Sequence, residues 1–208
     1  MTSIPQLAEL DLQLIRHPAP AIGMVAFVEN SGSPGLGWTW TTYLGELIAA
    51  AEAAYGPRDR SWTILGVEFG GDIPMIWYPG NRGHVAVRLT TAAATCPRVA
   101  FSELAHEAIH LLAPTGGSTA PNFEEGLATL FAESQSAVRG VTPGRHPAYD
   151  RPRNEVAAML MAFPDFVRDI RAVEPSFPLW TPELLDRHAP GTSDEVLAYL
   201  CRPFDRGS

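Results

Sequence analysis

Two histidines one helical turn apart, His106 and His110, have the spacing in this chain that most directly predicts chemistry. They lie in the stretch AFSELAHEAIHLL, residues 100–112, and Glu107 directly follows the first of them. On a helix, imidazoles at positions i and i+4 point the same way and can bind one zinc ion, while the neighbouring glutamate can act as a general base. The alternative interpretation is a pair of core histidines whose ring nitrogens are satisfied by hydrogen bonds.

The helix that carries these histidines is predicted to be amphipathic. Its apolar residues fall on one wide arc of the helix, and they are Phe101, Leu104, Ala105, Ala108, Ile109 and Leu112. The opposite arc carries Glu103, His106, Glu107 and His110. It has no arginine that could pair with the glutamates, as an ordinary solvated face would. Ionisable groups on a largely buried helix are kept mainly where they are paired or bind a metal, so a metal site is favoured.

A third ligand is expected downstream, because catalytic zinc normally has three protein ligands. The segment NFEEGLATLFAE, residues 122–133, offers Glu125, which is followed by Gly126 and Ala128. These small residues predict a close approach to the histidine helix. The alternative is a capping box, in which Asn122 begins a helix and Glu125 reaches back to the helix start.

The HExxH sequence on one helix and the E-G-x-A sequence on the next resemble the gluzincin zinc peptidases, which include thermolysin-like enzymes and zinc aminopeptidases. The similarity is strongest to the smallest members, the minigluzincins; it covers about residues 39–138 by order of elements, and two short motifs carry it. The zinc (Zn2+) ligands that it implies are His106, His110 and Glu125. It also implies Glu107 as the general base, and Glu124 is the alternative third ligand if the register of the second helix is shifted.

The resemblance implies a zinc-dependent hydrolase that acts on peptides or proteins. Gluzincins stabilise the oxyanion with a Tyr or His beyond the ligands, and the segment RHPAYDRPRNE offers Tyr149 as first candidate and His146 as second. The strand HVAVRLTT, residues 84–91, is expected to be the sheet edge that binds an extended peptide above the cleft.

We expect an endopeptidase, because Glu29 in GMVAFVEN lies far upstream of the place where zinc aminopeptidases hold the substrate amine. Two other functions remain open at this point. One is a zinc-binding interaction module without peptidase activity, and the other is a hydrolase of a small non-peptide amide or ester.

The order of predicted elements indicates an α+β fold. A helix over about residues 39–55 precedes a small zincin-like sheet, whose strand candidates are 61–69, 73–78 and 84–90, the last two joined by the turn PGNRG. The histidine helix follows, with a start signal at Thr95 or Cys96 followed by Pro97, and the glutamate helix spans about 122–138. Further helices are predicted around 153–173, 181–188 and 193–201, with start signals at Thr181 and Thr192.

Proline and glycine punctuate residues 1–37, which end in SGSPGLG and are interpreted as an N-terminal arm. Our hypothesis is that this arm keeps the enzyme latent by occupying the cleft as an extra strand. Residues 38–208 are predicted to form a single compact metallopeptidase domain.

Composition argues against several classes of partner. The formal net charge is −8 with no offsetting basic stripe, so neither nucleic acid nor an anionic membrane surface is expected to bind. All 15 basic residues are arginine, which excludes lysine-based catalysis. Cys96 and Cys201 have no partner spacing and are predicted to be ordinary thiols. Neither a signal peptide nor a membrane-spanning run is seen, so a cytoplasmic protein is expected, and the sequence indicates no oligomeric state.

Overall fold

The computed structural model describes residues 27–29, 37–81, 83–117, 119–144 and 146–207. These residues form an α+β fold, as predicted, with seven α-helices and a small three-stranded mixed sheet. The helices are α1 (Trp40–Tyr55), α2 (Pro97–His110), α3 (Asn122–Val138), α4 (Asp150–Ala162), α5 (Phe166–Val173), α6 (Pro182–His188) and α7 (Asp194–Leu200). The strands are β1 (Phe27–Glu29), β2 (Gly37–Thr39), β3 (Thr63–Phe69), β4 (Met75–Trp77) and β5 (His84–Leu89).

The three-stranded sheet has the order β3-β5-β4. The predicted hairpin is confirmed, because β4 pairs antiparallel with β5, with Met75 opposite Arg88. The prediction that residues 84–91 form the sheet edge is wrong: β5 is the central strand, parallel to β3, and β4 is the edge strand. Val85 and Val87 on one face of β5 are fully buried, and Ala86 on the opposite face is buried as well, which is typical of a strand that is covered on both sides.

Helix α2 packs its apolar face into the core against α1 and β5. All six residues of the predicted apolar arc are fully buried: Phe101, Leu104, Ala105, Ala108, Ile109 and Leu112. The predicted helix start is also confirmed, since Cys96 is the N-cap and Pro97 is the first residue, where its missing N–H costs no helical hydrogen bond. The polar arc of α2 is therefore held in a defined orientation by burial of the opposite face.

Helices α3 and α4 approach each other very closely at Gly126. A Cβ atom at this position would lie 2.4 Å from the carbonyl oxygen of Pro152 in α4, so a side chain cannot be accommodated without a backbone shift. The sequence predicted that Gly126 would allow approach to the histidine helix, but this glycine faces α4. Its effect is to bring the start of α4 against the helix that carries Glu125.

The C-terminal third contains one helix more than predicted. The continuous helix expected over 153–173 is divided into α4 and α5, because Pro164 cannot donate a backbone hydrogen bond and Phe163 leaves the helical conformation before it. Thr181 caps α6 as predicted, accepting from the N–H of Leu184 at 3.2 Å. Ser193, and not Thr192, caps α7.

Of the predicted N-terminal arm, the structure describes Phe27–Glu29 and Gly37, where β1 pairs antiparallel with β2. The rest of residues 1–37 lies outside the described residues, and so does the predicted occupation of the cleft. Within the part of the chain that the structure describes, no helix has the length and apolar character needed to cross a membrane.

Candidate metal centre

The two histidines of α2 and Glu125 of α3 converge on one point. Nε2 of His106 lies 3.0 Å from one carboxylate oxygen of Glu125, and Nε2 of His110 lies 3.8 Å from the other. One ligand atom from each of these three residues lies within 4.8 Å of the other two. The fold thus brings together the three residues that were predicted as ligands, in a group that could hold a metal ion.

The capping-box alternative for Glu125 is wrong. The N-cap of α3 is Pro121, and no side chain caps this helix. Asn122 is instead the first helical residue, and its Nδ2 donates to the carbonyl oxygen of Tyr199 at 2.8 Å. The Glu125 side chain is therefore available for the histidines of α2.

Glu124 supports His110 from the side opposite to Glu125. Its Oε1 lies 2.7 Å from Nδ1 of His110, and the carboxylate is buried. When Nδ1 carries the proton and donates it to Glu124, the lone pair of Nε2 is left facing Glu125. This geometry favours Glu125 over Glu124 as the third ligand and makes Glu124 a supporting residue.

The cluster brings three carboxyl groups, those of Glu107, Glu124 and Glu125, close to two imidazoles. Burial lowers the pKa of His110, but the Glu125 charge, the Glu124 hydrogen bond and the other nearby carboxylates outweigh it and raise that pKa to about 10. Burial also raises the pKa of Glu124, and its Oε2 is buried with no hydrogen-bond partner among the described residues.

Buried charges in such a cluster can be neutralised by protons on its carboxyl or imidazole groups, or by a metal ion. Two imidazole nitrogens, one carboxylate and a carboxylate behind His110 form a donor set that fits zinc.

Glu107 lies beside the ligand group and lines the same cleft, but it is not one of the three grouped residues. Its side chain is almost completely enclosed, at 3% exposure. Burial raises the pKa of Glu107, and the charges of His110 and His106 oppose that rise in part. A carboxylate with a raised pKa beside a metal group is suited to accept and release a proton.

The structure places Tyr149 next to the histidines and His146 further out. The Tyr149 ring meets the His106 ring edge-on, with centroids 5.6 Å apart. Burial and the Glu125 charge raise the pKa of Tyr149 to about 12, so its hydroxyl remains a hydrogen-bond donor at neutral pH. His146 is exposed, and its Nδ1 accepts from the N–H of Ala148 at 3.3 Å.

His106, His110 and Glu125, which we call the metal group, open onto a cleft with a volume of about 790 Å3. One wall is the edge strand β4 and the other is formed by α2 and α3. Glu103 of α2 is bonded to the residue that follows β5: its two carboxylate oxygens accept from the N–H of Thr90 at 2.8 Å and from the hydroxyl of Thr90 at 2.7 Å. This pair fixes α2 relative to the end of β5.

The sequence did not predict that the C-terminal tail contributes to the cleft wall. Phe204 and Arg206 come from the C-terminal tail, about 80 residues beyond Glu125 in the chain, and both line the cleft. They belong to no motif, and nothing in the local sequence indicates where the tail lies.

No protein-family model matches this chain, and no curated protein or solved structure is significantly similar to it. The resemblance to gluzincins therefore rests on the two short motifs alone.

Proposed function

We propose that the chain is a zinc-dependent hydrolase of gluzincin type, and specifically an endopeptidase. The observation that carries this proposal is the convergence of one ligand atom each from His106, His110 and Glu125 within 4.8 Å, on a cleft that Glu107 also lines. Two nitrogen ligands and one carboxylate leave a fourth zinc position open, which is the arrangement that catalytic zinc sites use.

Zinc, when bound, would supply Lewis-acid polarisation of the substrate carbonyl and would acidify a water molecule. The Glu107 carboxylate takes a proton from the attacking water and delivers it to the leaving nitrogen of the amide. The Tyr149 hydroxyl donates a hydrogen bond to the oxygen on which negative charge develops. Glu124 holds the His110 ring in the orientation that presents Nε2.

The cleft suits an extended peptide. Among the described strands, β4 pairs with β5 alone, so the backbone groups of its other edge can bind a peptide strand. Apolar side chains stand beside it with much of their surface exposed: Ile73 at 49%, and Met75 and Val99 at 37% each. All three line the cleft and would contact apolar side chains of the substrate.

The first test is metal content. The full chain should bind about one zinc, and His106→Ala, His110→Ala or Glu125→Ala should each weaken binding strongly, because a site with two remaining ligands is incomplete. His84→Ala is the matched control, since His84 begins β5 and does not line the cleft. Unchanged zinc binding in Glu125→Ala would remove Glu125 from the site.

The second test separates metal binding from chemistry. Glu107→Gln keeps the shape of the side chain and loses the basic carboxylate, so zinc should remain while peptide hydrolysis falls by at least ~10²-fold. Cleavage of a peptide library is followed by mass spectrometry, with zinc measured in the same samples.

Three outcomes would contradict the proposal in different ways. Activity that survives in Glu107→Gln removes the general base, and loss of zinc makes Glu107 a ligand. If zinc-loaded wild type cleaves no peptide, the peptidase assignment is wrong. A panel of small amides and esters then decides between a small-molecule hydrolase and a zinc-binding interaction module.

A further inference from the structure

The C-terminal tail, residues 202–206, is attached to the start of the glutamate helix. The N–H of Asn122 donates to the carbonyl oxygen of Arg202 at 2.8 Å, and the N–H of Phe204 donates to that of Ala120 at 2.9 Å. Pro121 and Pro203 form an antiparallel bridge between these two bonds. Because Glu125 lies one turn further along α3, the tail is fixed beside the metal group.

Side chains of the tail reach the cleft around Tyr149. The Phe204 ring stacks on the Tyr149 ring with centroids 4.7 Å apart, and the Arg206 guanidinium lies 5.5 Å from the centroid of the same ring. Arg206 lines the same cleft as Glu103 of α2 and Glu125 of α3. Arg206 is thus held on the cleft wall beside Tyr149.

The charge of Arg206 is unusual for its surroundings. Among the described residues that line the cleft it is the single arginine, beside seven carboxylates: Asp72, Glu103, Glu107, Glu124, Glu125, Glu133 and Asp150. No described carboxylate lies within ion-pair distance of Arg206, whereas Arg60 pairs with Glu52 and Arg153 pairs with Glu133.

An arginine that only balanced the acidic cluster would be expected to pair directly with one of its carboxylates. The guanidinium of Arg206 instead keeps donors available to a molecule in the cleft.

We propose that Arg206 determines substrate specificity by binding a carboxylate of the substrate close to the bond that is cleaved. This inference rests on the proposed hydrolase function of the site. A guanidinium binds a carboxylate through two parallel hydrogen bonds, which fix the position of the substrate as well as attract it. Both an acidic side chain and the C-terminus of a peptide present this group. An acidic side chain agrees with the proposed endopeptidase, whereas recognition of the C-terminus would make the hydrolase a carboxypeptidase.

The test uses hydroxamate probes on the zinc-loaded full chain, since a hydroxamate binds the metal without being hydrolysed. One pair of probes is malonyl-hydroxamate-Ala with a free carboxylate or with a terminal amide. The second pair is malonyl-hydroxamate-Glu-amide or the Gln-amide equivalent. Dissociation constants are measured by calorimetry for wild type, Arg206→Gln and the control Arg202→Gln, whose side chain is exposed and does not line the cleft.

Wild type should bind the charged member of at least one pair about 10-fold more tightly, as expected for a charge-assisted hydrogen bond. In Arg206→Gln the two members of that pair should bind about equally tightly, whereas Arg202→Gln should keep the preference of the wild type. Preference within the first pair alone assigns the C-terminal carboxylate, and preference within the second pair alone assigns an acidic side chain.

Equal binding of both members of each pair by the zinc-loaded wild type would overturn the inference and leave the proposed function intact. A preference that persists in Arg206→Gln would overturn it as well. Absence of zinc from the wild type, with no probe bound, would overturn the proposed function and this inference with it.

Discussion

Two buried polar clusters in this protein differ in whether all of their polar atoms have hydrogen-bond partners. The first surrounds Arg171 of α5, which is 5% exposed. Its guanidinium donates to main-chain carbonyl oxygens at or just beyond the ends of α1, α2 and α5: those of Tyr55, Gly56, Pro57, Leu112 and Pro175. All the donors of this cation find acceptors within the chain, and the cluster joins three helix ends.

The second cluster lies at the candidate metal centre, and not all of its polar atoms are paired. Three carboxylates, from Glu107, Glu124 and Glu125, surround two imidazoles, and Oε2 of Glu124 has no hydrogen-bond partner among the described residues. Buried polar groups are normally paired, so this unpaired oxygen is consistent with a group that could hold a metal ion. Burial alone therefore does not distinguish the two kinds of cluster. A buried cluster whose polar atoms are all paired stabilises the fold, whereas one with an unpaired polar atom is suited to bind a ligand.

The largest effect is expected at the complete cluster. Arg171→Met keeps the apolar length of the side chain but leaves several buried carbonyl groups without a donor, each costing about 1–3 kcal/mol. The free energy of unfolding should therefore fall by about 5 kcal/mol, measured by urea denaturation.

Arg168→Met is the control for Arg171→Met. Arg168 lies on the same helix and also donates to backbone carbonyls, those of Ala53 and Ala54, but its side chain is exposed. Water can replace an exposed donor, so this variant should lose less than about 1 kcal/mol. Equal losses in the two variants would show that the Arg171 cluster is not a special source of stability.

A smaller effect is expected where α3 meets α4. Gly126→Ala places a methyl group against the backbone of Pro152, and overpacking of this kind costs about 1–3 kcal/mol. Gly45→Ala is the opposite control: Gly45 lies in α1 with open space around its Cβ position, so alanine should stabilise the protein by up to about 1 kcal/mol. Thermal unfolding of both variants checks the prediction, which a stabilised Gly126→Ala variant would contradict.

Local patterns in the sequence predicted the helices of the site well. The apolar arc of α2 and the bounds of α3 follow from a periodicity that is repeated over several turns, and both are confirmed. The position of β5 could not be predicted in the same way. A strand becomes central or peripheral through the order in which strands pair, and that order depends on contacts between distant segments.

Other features of the site depend on neighbours that the local sequence does not contain. Gly126 was expected to face α2, and its actual neighbour is Pro152 on α4. The tail residues Phe204 and Arg206 reach the cleft because the backbone of the tail pairs with residues 120–122. Pairing between such distant segments leaves no periodic signal in either of them.

The third ligand of the proposed zinc site could not be identified from the local sequence either, although both candidates lie on one helix. Glu124 and Glu125 are adjacent in sequence, but consecutive residues on a helix point about 100° apart. Their roles therefore depend on how α3 is rotated relative to α2. In the structure this rotation places Glu125 at Nε2 of both histidines and Glu124 at Nδ1 of His110.

The smallest predicted effect tests this division of roles. Glu124→Gln retains an oxygen that can accept from Nδ1 of His110 but removes the negative charge that makes this imidazole a stronger metal ligand. Loss of such a support typically weakens metal binding 10- to 100-fold, and because the hydrogen bond can be kept we expect about 10-fold.

Glu133→Gln is the matched control: Glu133 lies on the same helix and lines the same cleft, but pairs with Arg153. Zinc affinities from competition with a chelator should change less than about 2-fold in this control. Complete loss of zinc in Glu124→Gln would make Glu124 a direct ligand, and an unchanged affinity would show that the cluster does not use the charge behind His110.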